Sequence, residues 1–263
     1  MAAEVLLFSL IIAVFVGASA GYLGSLMVLE KMALVGDAMS HVALPGLALG
    51  ILFNFEPILG GFAFLFVSTV IIWQLGRVTR LSFETLVGAM FTLALAIGIL
   101  LISDVEALTE ALFGDITKVG LPETIAAIII SPAAIILTKI IYNKIVLSMI
   151  SEELATSTGV KIARTNLFYL LLVSLVVALG IKITGTLLVG FLVVVPAAAA
   201  KSISSNLHRY SVLSSIFGAL SSFSGVLLAG FLNLPTVPPG PLVVLSGIVI
   251  FLIAVSMKWM SKP

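Results

Sequence analysis

The 263-residue chain contains no cysteine, which excludes disulfide bonds and thiolate metal sites. Charge is scarce as well. Lys, Arg, Asp and Glu together make up 10% of the residues, where a soluble domain carries about 25%. The net charge of +1 gives no electrostatic basis for nucleic-acid binding. No G-x-x-x-x-G-K-[ST] phosphate loop occurs, so the chain is not itself a nucleotidase of that type. What it has in quantity is apolar surface: 61% of the residues are hydrophobic and the mean hydropathy is +1.31. Such a composition belongs to a polytopic membrane protein.

The expected fold class is therefore all-α, a transmembrane helix bundle forming a single domain over residues 1–263. A span needs roughly 20 mostly apolar residues. Nine segments qualify: Val5 to Leu29, Ala33 to Leu52, Ile58 to Leu75, Thr85 to Ile102, Ile125 to Leu147, Asn166 to Ile181, Ile183 to Ala200, Ser211 to Phe231 and Leu242 to Met257. The first follows Glu4 rather than a basic segment and is too long for a signal-peptide core, so it reads as a retained span. The fifth is expected to bend or break near Ser131-Pro132. The sixth and seventh leave room only for a tight turn at Lys182. Eight spans plus a re-entrant or interfacial element is the alternative. In the acidic connection after the fourth span, ALTEALFGD suggests a short helix stopped at Gly114.

Basic residues test the orientation. With the amino terminus outside, eleven of the 13 Lys and Arg residues fall on the inner side: Lys31, Arg77, Arg80, Lys139, Lys144, Lys161, Arg164, Lys201, Arg209, Lys258 and Lys262. Only Lys118 and Lys182 fall outside. This positive-inside pattern predicts an odd number of spans and an inner carboxyl terminus.

Chemistry concentrates in GDAMSHVALPGLALG, Gly36 to Gly50. Asp37 and His41 stand four residues apart, on one face of a helix, and are the acid and the imidazole placed within a span. Ionisable groups are costly there unless paired, solvated or turned to the protein interior. Pro45 cannot donate the helical bond that the His41 carbonyl would otherwise accept, which predicts a loosened carbonyl. The pair suits a borderline divalent metal such as zinc, manganese or iron; it is equally compatible with packing or proton handling. Two ligands are too few for a closed site, whereas two chains about a twofold axis would present two Asp and two His to one ion. Histidine ligates only when deprotonated, so metal handling should weaken as pH falls through its titration.

Three further features fit a transport path. Gly46 and Gly50 form a small-residue face for close helix packing. Gly185 to Ala200, GTLLVGFLVVVPAAAA, is rich in small residues, including Gly185 and Gly190, and its Pro196 leaves the Leu192 carbonyl unpaired. Ser148 to Thr165 is a polar inner connection, read either as a solvated loop or as a short helix stopped near Gly159 that would form a knob for a cytoplasmic protein.

These motifs resemble the integral membrane permease of the zinc/manganese/iron family of ATP-binding-cassette importers. The likeness rests on GDAMSHVALPGLALG, on LFGD at Leu112 to Asp115, on EELATSTGVKIARTN at Glu152 to Asn166, on TGTLLVGFLVVVPAAAA at Thr184 to Ala200, and on LPTVPPGPLVVL at Leu234 to Leu245. They occur in the family's order and cover nearly the whole chain. The resemblance implies a multi-pass protein of the prokaryotic plasma membrane, without a catalytic site or a permanently bound cofactor. A second copy of the chain would complete the pathway, two cytoplasmic ATPase subunits would drive it, and an extracytoplasmic metal-binding protein would deliver the ion. Asp37 and His41 fall on positions that meet the ion. The segment holding Glu152, Glu153, Ala155 and Gly159 falls on the loop that inserts into the ATPase. One departure is visible: Ile150-Ser151 stands where family members often have Phe-Asp. The rival readings are a secondary metal transporter driven by an ion gradient and an importer of a metal chelate.

Overall fold

The computed structural model describes residues 3–79, 81–101, 112–114, 119–232 and 239–260. Ten helices carry nearly all of them: α1 (Ala3–Leu29), α2 (Ala33–Val42), α3 (Leu44–Leu52), α4 (Pro57–Thr79), α5 (Phe83–Leu101), α6 (Leu121–Ile150), α7 (Glu152–Ser157), α8 (Ile162–Ile203), α9 (Leu207–Leu232) and α10 (Pro239–Met260). Among the described residues no strand occurs. The short helix expected in ALTEALFGD and the rigid loop at NLPTVPPGP fall mostly outside the described residues.

Eight segments are long and apolar enough to cross a membrane, and one shorter apolar helix runs from Val189 to Ile203. The seventh expected span, Ile183 to Ala200, is thus present as a shorter helix, the arrangement that the alternative of eight spans plus one further element describes. The cause is a break in α8 at Gly185, whose φ of 71° and ψ of 174° are non-helical. The tight turn expected at Lys182 is corrected: helix continues past it and the chain changes direction at Gly185. The second expected span is two helices, because the chain turns at Ala43. Pro45 lies in the first turn of α3, where its missing N–H would be unpaired anyway. The Ala43 N–H bonds the Ser40 carbonyl at 3.3 Å, and Pro45 has no N–H to offer the His41 carbonyl. The break expected at Pro132 does not occur; α6 continues through it. One lost backbone bond is tolerated in a long helix packed on its neighbours.

Helix α8 is the hub, packing against α1, α2, α4, α6, α7, α9 and α10. The partnership is held by close approach and by hydroxyl bonds rather than by hydrophobic burial, since lipid is as apolar as leucine. Buried Tyr169 on α8 donates its hydroxyl to the Leu23 carbonyl of α1 at 2.7 Å. Thr69 of α4 and Ser174 of α8 share a hydrogen bond of 2.8 Å, and Ser215 of α9 donates to the Ala18 carbonyl of α1 at 2.9 Å. Small faces permit this spacing. Gly17 of α1 lies against the Gly218 carbonyl of α9, and Gly46 of α3 against the Gly60 carbonyl of α4. Gly50 abuts Pro57 across the α3–α4 turn. At one end of the bundle the Trp73 indole donates to the Ala163 carbonyl at 2.7 Å, and the Arg77 guanidinium lies 4.9 Å from the Trp73 ring centre.

Two outcomes follow. Gly17→Ala places a methyl group on the Gly218 carbonyl and should destabilise the fold by about 1–3 kcal/mol; Gly88→Ala, with nothing within 4 Å, should not. Thermal unfolding of the purified protein in detergent compares them. The turn between α1 and α2 holds Glu30, whose carboxyl burial pushes up from 4.5 to about 7. A folded value above the unfolded one means that the fold keeps this proton. The contribution is full below pH 4.5 and is lost as pH rises through about 7. Stability measured across that window should fall in the native protein and fall less steeply in Glu30→Gln.

Candidate metal site

Asp37 and His41 both lie on α2, one turn apart. The apolar residues around them, Val35, Met39 and Val42, are buried, so α2 is held inside the bundle between α5 and α8. His41 is 7% exposed. Its ring meets Phe91 of α5 edge-on, with centres 5.3 Å apart. Its Nδ1 is buried without a hydrogen-bond partner among the described residues. An unsatisfied buried nitrogen of this kind costs about 1–3 kcal/mol.

Asp37 is half-buried and faces the second half of α8. A Cβ at Gly190 would fall on the Asp37 backbone and on its Oδ1. Glycine at 190 therefore makes room for the carboxylate. Gly36 packs beside the Val193 side chain one turn further along. Between the two candidate ligands sits Ser40, fully buried, whose hydroxyl donates to the Asp37 carbonyl at 2.6 Å and also bonds the Thr186 carbonyl. That second bond joins α2 to the residue just after the Gly185 break. The LFGD motif reaches the same place: a Cβ at Gly185 would collide with the Leu112 carbonyl and the Phe113 nitrogen. Pro196 is buried within the same half-helix.

Among the described residues no group of three or more His, Asp or Glu side chains is gathered closely enough to hold a metal ion. The structure thus brings together the candidate pair and the small residues that admit it, and leaves the donor set at two. Sequence reasoning missed Ser40, Thr186 and Phe91. Ser40 had a signal, a hydroxyl three residues after Asp37 inside the distinctive motif; Phe91 had none.

The polar connection Ser148 to Thr165 folds in part into a short helix, α7. Ser151 caps it, its hydroxyl accepting from the Leu154 N–H at 3.2 Å. Ser and Asp are both strong caps, so the departure at Ile150-Ser151 keeps the local geometry. The helix ends in a Schellman turn: Gly159 has φ 81°, its N–H bonds the Thr156 carbonyl at 3.0 Å, and the Val160 N–H bonds the Ala155 carbonyl at 3.0 Å. Glu152, Glu153 and Gly159 are exposed, and Leu154 is 51% exposed. Ala155 is fully buried, so it seats the knob on its own chain rather than facing outward. Leu154, a bare leucine at the tip of a polar segment, is the outward apolar group that sequence reasoning passed over.

Comparison with known proteins agrees with this architecture. Over 249 residues the chain is 31% identical to the manganese transport system membrane protein MntC of Listeria monocytogenes serovar 1/2a, covering 94% of this chain and 88% of that protein. It is 29% identical to the high-affinity zinc uptake system membrane protein ZnuB of Buchnera aphidicola subsp. Baizongia pistaciae, covering 89% and 90%. The fold matches a chain of PsaBC from Streptococcus pneumoniae, solved in complex with Fab, with a TM-score of 0.82 at 29% identity over 95% of this chain and 91% of that one. Residues 2–258 match the ABC 3 transport family from end to end, and the chain belongs to that family.

Proposed function

We propose that this chain is the membrane-spanning subunit of an ATP-driven importer of a divalent transition metal, and that Asp37 and His41 meet the ion. The observation that carries the reading is the buried, unpartnered Nδ1 of His41 one turn from a carboxylate. Nitrogen and oxygen donors in this pairing suit manganese and zinc, which the names of its relatives specify, and iron by the same chemistry. Because one chain offers two donors, a second copy completes the set across a twofold axis. Two carboxylates then offset the divalent charge and lower the cost of taking the ion out of water. The ion enters from the outer side, handed over by an extracytoplasmic metal-binding protein, and leaves inward. With residues 186–203 counted as the ninth crossing, the amino terminus lies outside and the carboxyl terminus inside.

The chain has no phosphate loop, and hydrolysis belongs to partner ATPase subunits at the inner face of the plasma membrane. The coupling element is α7 with its flanks, residues 148–165. Exposed Glu152, Glu153 and Leu154 project from a knob fixed at both ends by the Ser151 cap and the Gly159 turn. Ala155 anchors that knob. A permease of this kind performs no bond chemistry; it changes which side of the membrane its donors face.

Asp37→Ala and His41→Ala should each lower metal uptake by the reconstituted complex at least tenfold while the ATPase still co-purifies. Uptake at the native level in both would overturn the assignment, and proton-coupled uptake by the chain alone would favour a secondary transporter. Leu154→Asp should leave the permease folded but reduce metal-stimulated ATP hydrolysis at least fivefold. Full stimulation in that variant would remove α7 from the coupling role.

A further inference from the structure

Buried Ser40 is the side chain through which the Asp37 helix is bonded to the broken region of α8. Its single hydroxyl proton is shared between two backbone carbonyls, that of Asp37 on its own helix and that of Thr186 across the interface. Thr186 follows Gly185, whose backbone lies against the Leu112–Phe113 peptide. Gly190, four residues beyond Thr186, abuts Asp37 from the same side. A continuous chain of contacts therefore runs from the LFGD segment through Gly185 and Thr186 to Ser40 and Asp37. Hydroxyl-to-carbonyl bonds of this kind between membrane helices are worth about 0.6–2 kcal/mol, enough to set a helix register and weak enough to be broken and remade during a transport cycle.

We propose that Ser40 is a positioning residue for metal binding: its bond to the Thr186 carbonyl latches α2 to the α8 break and holds Asp37 where it meets the ion, and the Leu112–Gly114 segment sets that latch by its contact with Gly185. The inference rests on the assignment of Asp37 to the ion made above. It extends that assignment to an uncharged residue that touches no metal itself, and it gives the LFGD motif a mechanical role. With the latch closed, the Asp37 carboxylate is fixed against Gly190. With the latch open, α2 rotates or slides relative to α8 and the carboxylate leaves its place.

The test uses the complete permease–ATPase complex in detergent, titrated calorimetrically with manganese(II) alone. Ser40→Ala removes the hydroxyl without adding bulk. Its Kd for manganese should rise about tenfold, while its unfolding temperature and ATPase co-purification stay native. Gly185→Ala strains the positive φ and pushes on Leu112, so its Kd should rise as well. The double variant should bind no more than twofold worse than the weaker-binding single variant, because both act on one latch. A Ser40→Ala Kd within twofold of native overturns the proposal. So does a loss of binding matched by a lost ATPase or a lowered unfolding temperature, which would mark Ser40 as structural only. Multiplying effects in the double variant overturn the part played by Gly185; should Gly185→Ala not assemble, Ser40→Ala alone decides. Asp37→Ala keeps the two readings apart. Native binding there removes the ion from Asp37 altogether, whereas abolished binding there with native binding in Ser40→Ala sinks only the latch.

Discussion

A backbone polar group in the hydrocarbon layer must find its partner within the protein, and the organisation of this chain follows from how that is met where α8 is interrupted. The positive φ at Gly185 frees nearby carbonyls from the helical pattern. One of them, at Thr186, is satisfied by a serine on a different helix. The same interruption draws in the Leu112–Phe113 peptide on one side and α2 on the other. Without it, α8 would be a single uninterrupted rod and α2 would have no seat at which a carboxylate meets a glycine. The candidate site is thus a product of irregular backbone buried inside a helical bundle, the one setting in which membrane proteins tolerate such backbone.

Burial at the site is uneven, and the unevenness carries chemical meaning. His41 is nearly enclosed, with its ring edge-on to Phe91 and one nitrogen left without a partner, whereas Asp37 keeps part of its surface open. A buried hydrogen-bonding atom left unpaired is disfavoured and persists where something outside the described chain comes to it. The donors present are too few to enclose an ion, which fits passage better than storage. A cargo held by a complete cage would not leave.

Much of this was readable from composition and spacing. Scarce charge and long apolar runs determine an all-helical membrane bundle, and Asp37 with His41 is conspicuous because ionisable groups are rare in spans. The small residues at Gly46 and Gly190 announced close approach, and each meets backbone from another helix. The seventh span is shorter than its hydropathy suggests, for a physical reason. Hydropathy averages over a window and does not register that a glycine at the start of the window has left the helix. The unbroken course through Pro132 escaped for the opposite reason, since a proline penalty is local while the packing that overrides it comes from distant helices. Ser40 and Phe91 act through contacts across more than one helix, and no pattern along a single chain reveals those.

The short knob α7 is followed directly by α8, tied near its start to α4 through Trp73 and Ala163. From Ile162 to Ile181 that helix is an unbroken rod about 30 Å long, and its only non-helical joint is the glycine beside the candidate site. A stiff arm with a single elbow carries a small displacement at its base, undiminished, to the elbow. The arm is pinned near one end by an indole and ends at a glycine.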